Sequence, residues 1–119
     1  MNNLSGNWVN ELGSKMILEV NGNSLSGIYI SKVGDVLGEY KLTGFVNTTE
    51  DESIVLGWIV LWVNDESNSN AVTAWSGQYQ IDKETNSPVI VTTWLLTEQT
   101  NEADDWKSTM VGKDYFHLD

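Results

Sequence analysis

The chain has 119 residues, a length that suits one domain, and we expect a single domain over residues 1–119. The formal net charge is −11 and all six basic residues are lysine, which excludes the clustered basic surface that nucleic acid or an anionic membrane requires. With no Cys and one His, the chain also excludes disulfides, thiolate zinc sites and multi-histidine metal sites.

Short alternating runs, separated by turn clusters, recur along the whole chain. The first is NWVNEL, which a Gly-Ser turn closes, and the second is KMILEV, which ends at Asn21-Gly22, a strong hairpin signal. The remaining runs are LSGIYIS, EYKLTGFV, IVLGWIVLWV, AVTAWSGQYQI, VIVTTWLLT and WKSTMVGKDYFHL. Before the last run, TNEADDW predicts one short helical turn, capped by Thr100 or Asn101.

The spacing of these eight predicted strands indicates an all-β domain. An even number of strands and short hairpin-type links favour an eight-stranded antiparallel up-and-down β-barrel, because closure leaves no exposed strand edge. A β-sandwich is the structural alternative. The single proline, Pro88, agrees with either fold because it lies at the start of a strand, where proline is tolerated.

Alternate residues of a strand face the same side of a sheet, and here two chemistries share one side. The indole set is Trp62, Trp75 and Trp94, and the polar set is Tyr29, Ser31, Thr73 and Asp114. A buried polar group without a partner costs about 1–3 kcal/mol. Such an interior is therefore either bonded within itself, as an aromatic core with satisfied hydroxyls, or built to hold a polar ligand.

Several segments, taken together and in order, resemble the avidin and streptavidin family. They are GNWVNELGS, LSGIYIS followed by KVG, LGWIVLW, TAWSGQY, TTWLLT and EADDWKSTMVGKDYF. The resemblance implies an avidin-like β-barrel that binds biotin as a non-covalent ligand, with no cofactor, no metal and no catalysis. It also implies a secreted protein, and we interpret the absence of a signal peptide before the first strand as that of a mature chain.

The resemblance assigns roles to individual residues around biotin. Asn10, Ser14 and Tyr29 would donate to the ureido oxygen, Ser31 and Asp114 would accept from the ureido N–H groups, and Thr73 would lie near the sulfur. The apolar walls would be Trp62, Trp75, Trp94, Leu96 and Met110. A lid loop would bring Val33, Gly34 and Val36 near the ligand, while Trp8 and Trp58 would belong to the core.

The pocket mouth departs from the family pattern. The family usually places small hydroxyl side chains where the carboxylate of biotin ends, whereas this chain has Ala71 and Glu98. A methyl group cannot donate a hydrogen bond and an acid repels the carboxylate, so we expect weaker binding of free biotin than of biotin amides. Asn70 or Ser69 is the candidate substitute donor.

Two residues bear on oligomeric state in opposite directions. Trp106 matches the tryptophan with which the family closes the pocket of a neighbouring subunit, and this favours a homotetramer. Lys113 matches a position of subunit contact, where two-fold symmetry would bring it against its own copy and leave a dimer. We expect the tetramer, because an intersubunit lid requires a neighbour.

Three other functions compete with biotin binding. A lipocalin-like carrier disagrees with the buried hydroxyl groups, and a lectin predicts an open tryptophan platform. A glycoside hydrolase needs two matched acids, but the resemblance places the two inward acids, Glu98 and Asp114, at opposite ends of the pocket. We therefore expect a binding protein and no enzyme.

Overall fold

The computed structural model describes residues 4–31, 38–49 and 53–119. Eight strands follow one another along these segments, and a 3₁₀ helix, Glu102–Lys107, lies between the last two. The strands are β1 (Gly6–Val9), β2 (Lys15–Asn21), β3 (Ser24–Ile30), β4 (Glu39–Thr48), β5 (Ile54–Val63), β6 (Asn68–Asp82), β7 (Ser87–Glu98) and β8 (Thr109–Leu118).

Every strand pairs antiparallel with its neighbours in the chain, and β1 also pairs with β8, so the sheet closes on itself. The closing contacts are Trp8 with Leu118 and Val9 with His117. The predicted antiparallel up-and-down barrel is confirmed and the sandwich is wrong. Closure gives each strand a partner on both sides, which removes the unpaired edges that an open sheet would expose.

Two local predictions about turns are also confirmed. β2 and β3 form the hairpin predicted at Asn21-Gly22, and Gly22 adopts a φ of +65°, a left-handed conformation that glycine adopts without steric penalty. The short helical turn is the 3₁₀ helix, and Asn101 is its N-cap. The Asn101 side chain accepts a hydrogen bond of 3.0 Å from the Asp104 N–H.

The interior of the barrel holds a continuous apolar core. Its fully buried members include Leu4, Trp8, Met16, Leu42, Val60, Ile90 and Phe116. Trp8 and Trp58 are both buried, as expected of core residues. The ring of Trp58 stacks on that of Trp75, with centroids 5.5 Å apart and an interplanar angle of 18°. Trp58 thus connects the core to the ring of Trp75.

Within the described residues, no helix is long and apolar enough to cross a membrane.

Candidate functional site

A cavity of about 390 Å³ lies inside the barrel, within the range of about 300–1,000 Å³ that is usual for small-molecule sites. Strands β3, β5, β6, β7 and β8 and the β1–β2 connection contribute its walls. Its lining residues are Asn10, Leu12, Ser14, Tyr29, Ser31, Trp62, Ser69, Ala71, Thr73, Trp75, Trp94, Leu96, Glu98 and Asp114. Every second residue from Ser69 to Trp75 in β6 and from Trp94 to Glu98 in β7 lines the cavity, which is the periodicity of a strand with one inward face.

Most of the residues proposed from the sequence therefore lie together, and two do not line this cavity. Met110 is the second residue of β8 and its side chain is exposed. Trp106 lies on the 3₁₀ helix with 78% of its surface exposed, and the Lys107 ammonium is 5.7 Å from its ring centroid. The three lid positions, Val33, Gly34 and Val36, lie outside the described residues.

Asp114 is the carboxylate of the cavity and only 6% of its surface is exposed. The Trp75 indole donates a hydrogen bond of 2.9 Å to its Oδ2, and the Asn10 side chain donates a second bond. Burial raises the pKa of Asp114; the Trp75 hydrogen bond opposes this rise and the nearby Glu11 carboxyl adds to it. The indole thus fixes one carboxylate oxygen of a group that lines the cavity.

The β1–β2 connection holds Asn10 through its own backbone. The Asn10 Oδ1 accepts from the N–H groups of Leu12 and Ser14 at 3.0 and 2.9 Å, while Gly13 adopts a φ of +87°. This is the turn chemistry that asparagine commonly supplies. Because the oxygen is used in the turn, the NH₂ group of Asn10 is directed to Asp114, so the turn and the cavity share one side chain.

Tyr29 is a buried phenol at the centre of the aromatic residues. Its ring centroid lies 5.0 Å from that of Trp75 and 5.7 Å from that of Trp62. Its hydroxyl is hydrogen-bonded to the Ser14 side chain, and burial, reinforced by the charge of Asp114, raises the pKa of Tyr29 above its usual range. The phenol therefore keeps its proton at neutral pH and is available as a donor.

Trp62 and Trp94 are held in place by different contacts, a hydrogen bond for Trp62 and close packing against Gly112 for Trp94. The Trp62 indole donates a 2.8 Å hydrogen bond to Thr73 Oγ1, a cavity hydroxyl on the neighbouring strand. Trp94 pairs across the sheet with Gly112, and a Cβ at that position would lie 2.2 Å from Trp94 Cζ2. Only glycine leaves room for the indole to lie over β8, so Gly112 determines where the Trp94 ring lies in the cavity wall.

The sequence did not reveal the contact between Gly112 and Trp94, and it gave no role to Glu11 or Leu12. Leu12 lines the cavity although its side chain is largely exposed. Glu11 lies outside the lining, yet its carboxyl reaches Asp114. The pairing of Trp94 with Gly112 is visible once strand register is known, whereas no sequence pattern connects residues 11 and 114.

The cavity mouth is formed where β6 and β7 end. Ala71 and Glu98 are cross-strand partners and both line the cavity, with Glu98 exposed to solvent. Ser69 also lines it, whereas Asn70, which has a φ of +51°, does not. Of the two candidate substitute donors, Ser69 is thus the one at the cavity. Among the described residues, no three His, Asp or Glu side chains cluster as metal ligands would.

Comparison with known proteins finds similarity along nearly all of the chain. The model of the avidin family matches residues 1–119. Avidin from Gallus gallus is 37% identical over 120 residues, which cover 95% of this chain and 76% of that protein. Avidin-related protein 7 from Gallus gallus is 36% identical, covering 95% and 75%, and afifavidin from Afifella pfennigii is 32% identical, covering 97% and 69%.

Proposed function

Since the chain belongs to the avidin family, we propose that it binds biotin with high affinity in the cavity of its barrel. Members of this family are non-catalytic and take biotin as a ligand rather than a cofactor, in agreement with the prediction of no enzyme. The observation that carries the proposal is that five polar side chains and three tryptophans line one cavity of suitable size: Asn10, Ser14, Tyr29, Ser31, Asp114, Trp62, Trp75 and Trp94.

The deep polar residues match the hydrogen-bonding groups of a cyclic urea. Asn10, Ser14 and Tyr29 donate to the ureido oxygen, where convergent donors favour its charge-separated form. The NH₂ group of Asn10 has two hydrogens, so a bond to Asp114 leaves one for the ligand. Ser31 and Asp114 accept from the two ureido N–H groups, and the bond to an ionised Asp114 is charge-assisted and stronger than a neutral one.

The bicyclic ring of biotin then lies between the aromatic walls. Trp62, Trp75 and Trp94 provide large apolar faces, Leu96 adds aliphatic contact, and Thr73 Oγ1 lies near the sulfur. Two of these indole N–H groups already have acceptors, on Thr73 and Asp114, so their faces are presented without an unpaired donor. Val33, Gly34 and Val36 would contribute from the lid, and Met110 from the partly exposed start of β8.

At the mouth, Ala71 and Glu98 support a preference for biotin linked through a neutral amide over free biotin. The exposed Glu98 repels the valerate carboxylate, and Ala71 offers it no donor. Ser69 partly compensates as a donor. We expect the amide to bind more tightly by about 1–3 kcal/mol at low salt, the value of a hydrogen bond to a charged group. Equal affinities under that condition would contradict this preference.

We also propose a secreted homotetramer. The outer face of β4 and β5 exposes Phe45, Ile59 and Leu61 along a groove of about 1060 Å³, an apolar surface typical of protein interfaces. Trp106 projects from the barrel and is suited to closing a neighbour's cavity. The mass of the assembly in solution tests this proposal. If repulsion between two copies of Lys113 prevents one of the subunit contacts, the mass will be that of a dimer. Trp106→Ala should weaken biotin binding without changing the number of subunits in the assembly.

The central experiment is a biotin titration followed by tryptophan emission. Rings that contact the ligand should change intensity and wavelength, with a sharp endpoint near one biotin per chain. Desthiobiotin, which keeps the urea but lacks the sulfur ring, should bind more weakly because the contacts of Thr73 and of the indole faces are reduced. The absence of heat on calorimetric titration, together with an unchanged melting temperature, would refute biotin binding.

A further inference from the structure

Glu11 extends from the β1–β2 connection to β8. Its Oε1 accepts a hydrogen bond of 2.9 Å from the N–H of Tyr115, the residue that follows Asp114. The Glu11 carboxyl is also within hydrogen-bonding reach of the Asp114 side chain. Two carboxyl groups make such a bond only when one of them carries a proton, because two adjacent carboxylates repel each other.

The proton of this pair belongs on Asp114. Asp114 is buried, whereas Glu11 is exposed, so water stabilises a negative charge on Glu11 and not on Asp114. The N–H of Tyr115 stabilises the Glu11 carboxylate further. Burial is also the main reason that the pKa of Asp114 is raised.

The other elements around Asp114 place no second charge against it among the described residues. β3 contributes Tyr29, which stays protonated, and β6 contributes the uncharged indole of Trp75. β7 contributes Thr92, whose hydroxyl donates to the Asp114 backbone carbonyl at 2.9 Å. On β8 itself, the flanking Lys113 and Tyr115 belong to the opposite face of the strand.

We propose that Glu11 is a positioning residue that shares a proton with Asp114 and makes ligand binding dependent on pH. The inference rests on the proposed function and adds a regulation of that site. A ligand that donates an N–H group to Asp114 binds best when this carboxyl is ionised, so binding releases the shared proton to solvent. Affinity is therefore highest above the pKa of Asp114 and falls by up to about tenfold per pH unit below it.

Glu11→Gln tests the role of the shared proton. The glutamine Oε1 can still accept from the Tyr115 N–H, and its NH₂ group donates to Asp114 instead of competing for a proton. We expect the biotin Kd of the variant to match that of the wild type at alkaline pH. The acid-side loss of affinity should begin at a lower pH, because both the like charge and the proton acceptor are gone.

Glu19→Gln is the matched control, since Glu19 is an exposed residue of β2 and the substitution removes the same charge. Its pH profile of Kd should coincide with that of the wild type. Coincident profiles for the wild type and Glu11→Gln would overturn the proposal, as would an equal shift in Glu19→Gln, which would indicate a general effect of net charge.

A second readout needs no ligand. The NMR shift of the Trp75 Nε1–H should titrate with Asp114, to which it donates, and the midpoint should be lower in Glu11→Gln. Asp114→Asn should abolish this titration while keeping an acceptor for the indole. If biotin does not bind, the proposed function fails and this titration still tests the proton pair. An identical midpoint in the wild type and Glu11→Gln would overturn the pair itself.

Discussion

The deep end of the cavity and its mouth are built in opposite ways. At the deep end, polar side chains bond to one another: Asp114 to Trp75 and Asn10, and Tyr29 to Ser14. At the mouth, Glu98 is an exposed carboxylate on a strand end. Groups that are already fixed lose little freedom on binding, so we expect the deep end to supply most of the affinity and the mouth to discriminate between ligands by the group that they carry there.

The difference follows from where each end lies on the strands. Tyr29, Trp75 and Asp114 lie within strands paired on both sides, and the Asn10 turn is fixed by two backbone N–H groups. Ala71 and Glu98 form the terminal pair between β6 and β7, and the 3₁₀ helix follows the end of β7. The side chains at the deep end are therefore held more firmly in position than those at the mouth.

The largest effect that distinguishes the two ends should come from Asp114→Ala. The substitution removes the proposed acceptor for a ureido N–H and leaves the buried Trp75 indole without its partner. We expect a loss of biotin affinity of about 1.5–3 kcal/mol, the value of a hydrogen bond to a charged group. Displacement calorimetry measures it.

Ser69→Ala is the control at the mouth and should cost about 1 kcal/mol or less, the value of an ordinary hydrogen bond. Equal losses for the two variants would show that the deep end has no privileged role.

A smaller effect separates two tryptophans that stack on each other. Trp75 donates to Asp114, whereas the buried Trp58 Nε1 finds no acceptor among the described residues. Both Trp→Phe substitutions remove similar volume, but only Trp75→Phe deprives a buried carboxyl of a donor. We expect Trp75→Phe to lower the free energy of unfolding by about 1–3 kcal/mol more than Trp58→Phe. Urea unfolding of the ligand-free protein decides this, and the reverse order would contradict it.

Gly112→Ala should disturb the cavity wall by a comparable or smaller amount. Its methyl group would overlap the Trp94 indole, and overpacking of this kind costs about 1–3 kcal/mol in stability. Biotin affinity should fall as the ring shifts. In a Trp94→Ala background the same substitution should have little effect, because the overlap is gone. Equal destabilisation in both backgrounds would mean that the backbone, and not the indole, requires glycine.

The sequence predicted the fold and the cavity faces because both depend on a period of two residues. Ala71, Thr73 and Trp75 alternate along β6, and pairing with β7 brings them opposite Glu98, Leu96 and Trp94. Once the barrel closes, this alternation alone decides which side chains point inward. The sequence was sufficient for this prediction because a shift of one residue would expose the whole set to solvent.

Contacts that depend on register or on a turn could not be predicted in the same way. The space that Gly112 leaves for Trp94 exists only because β7 and β8 pair at that position. Glu11 accepts from the Tyr115 N–H, next to Asp114, because barrel closure brings the β1–β2 turn to β8. Met110 shares the parity of Asp114, but it lies near the strand end, where parity no longer ensures burial.

The smallest expected effect concerns the mouth, and it tests whether charge there discriminates between ligands. Glu98→Gln removes the repulsion of the valerate carboxylate but keeps the size of the side chain. Because Glu98 is exposed and screened by salt, we expect free biotin to gain only about 0.2–1 kcal/mol, and a neutral biotin amide to gain nothing. Competition binding at low and high ionic strength measures the difference, which should shrink as salt is added.

Glu102→Gln, on the exposed 3₁₀ helix, controls for net charge. If both ligands gain equally from Glu98→Gln, the mouth contributes through its shape, and the distinction between a fixed deep end and a charge-selective mouth fails.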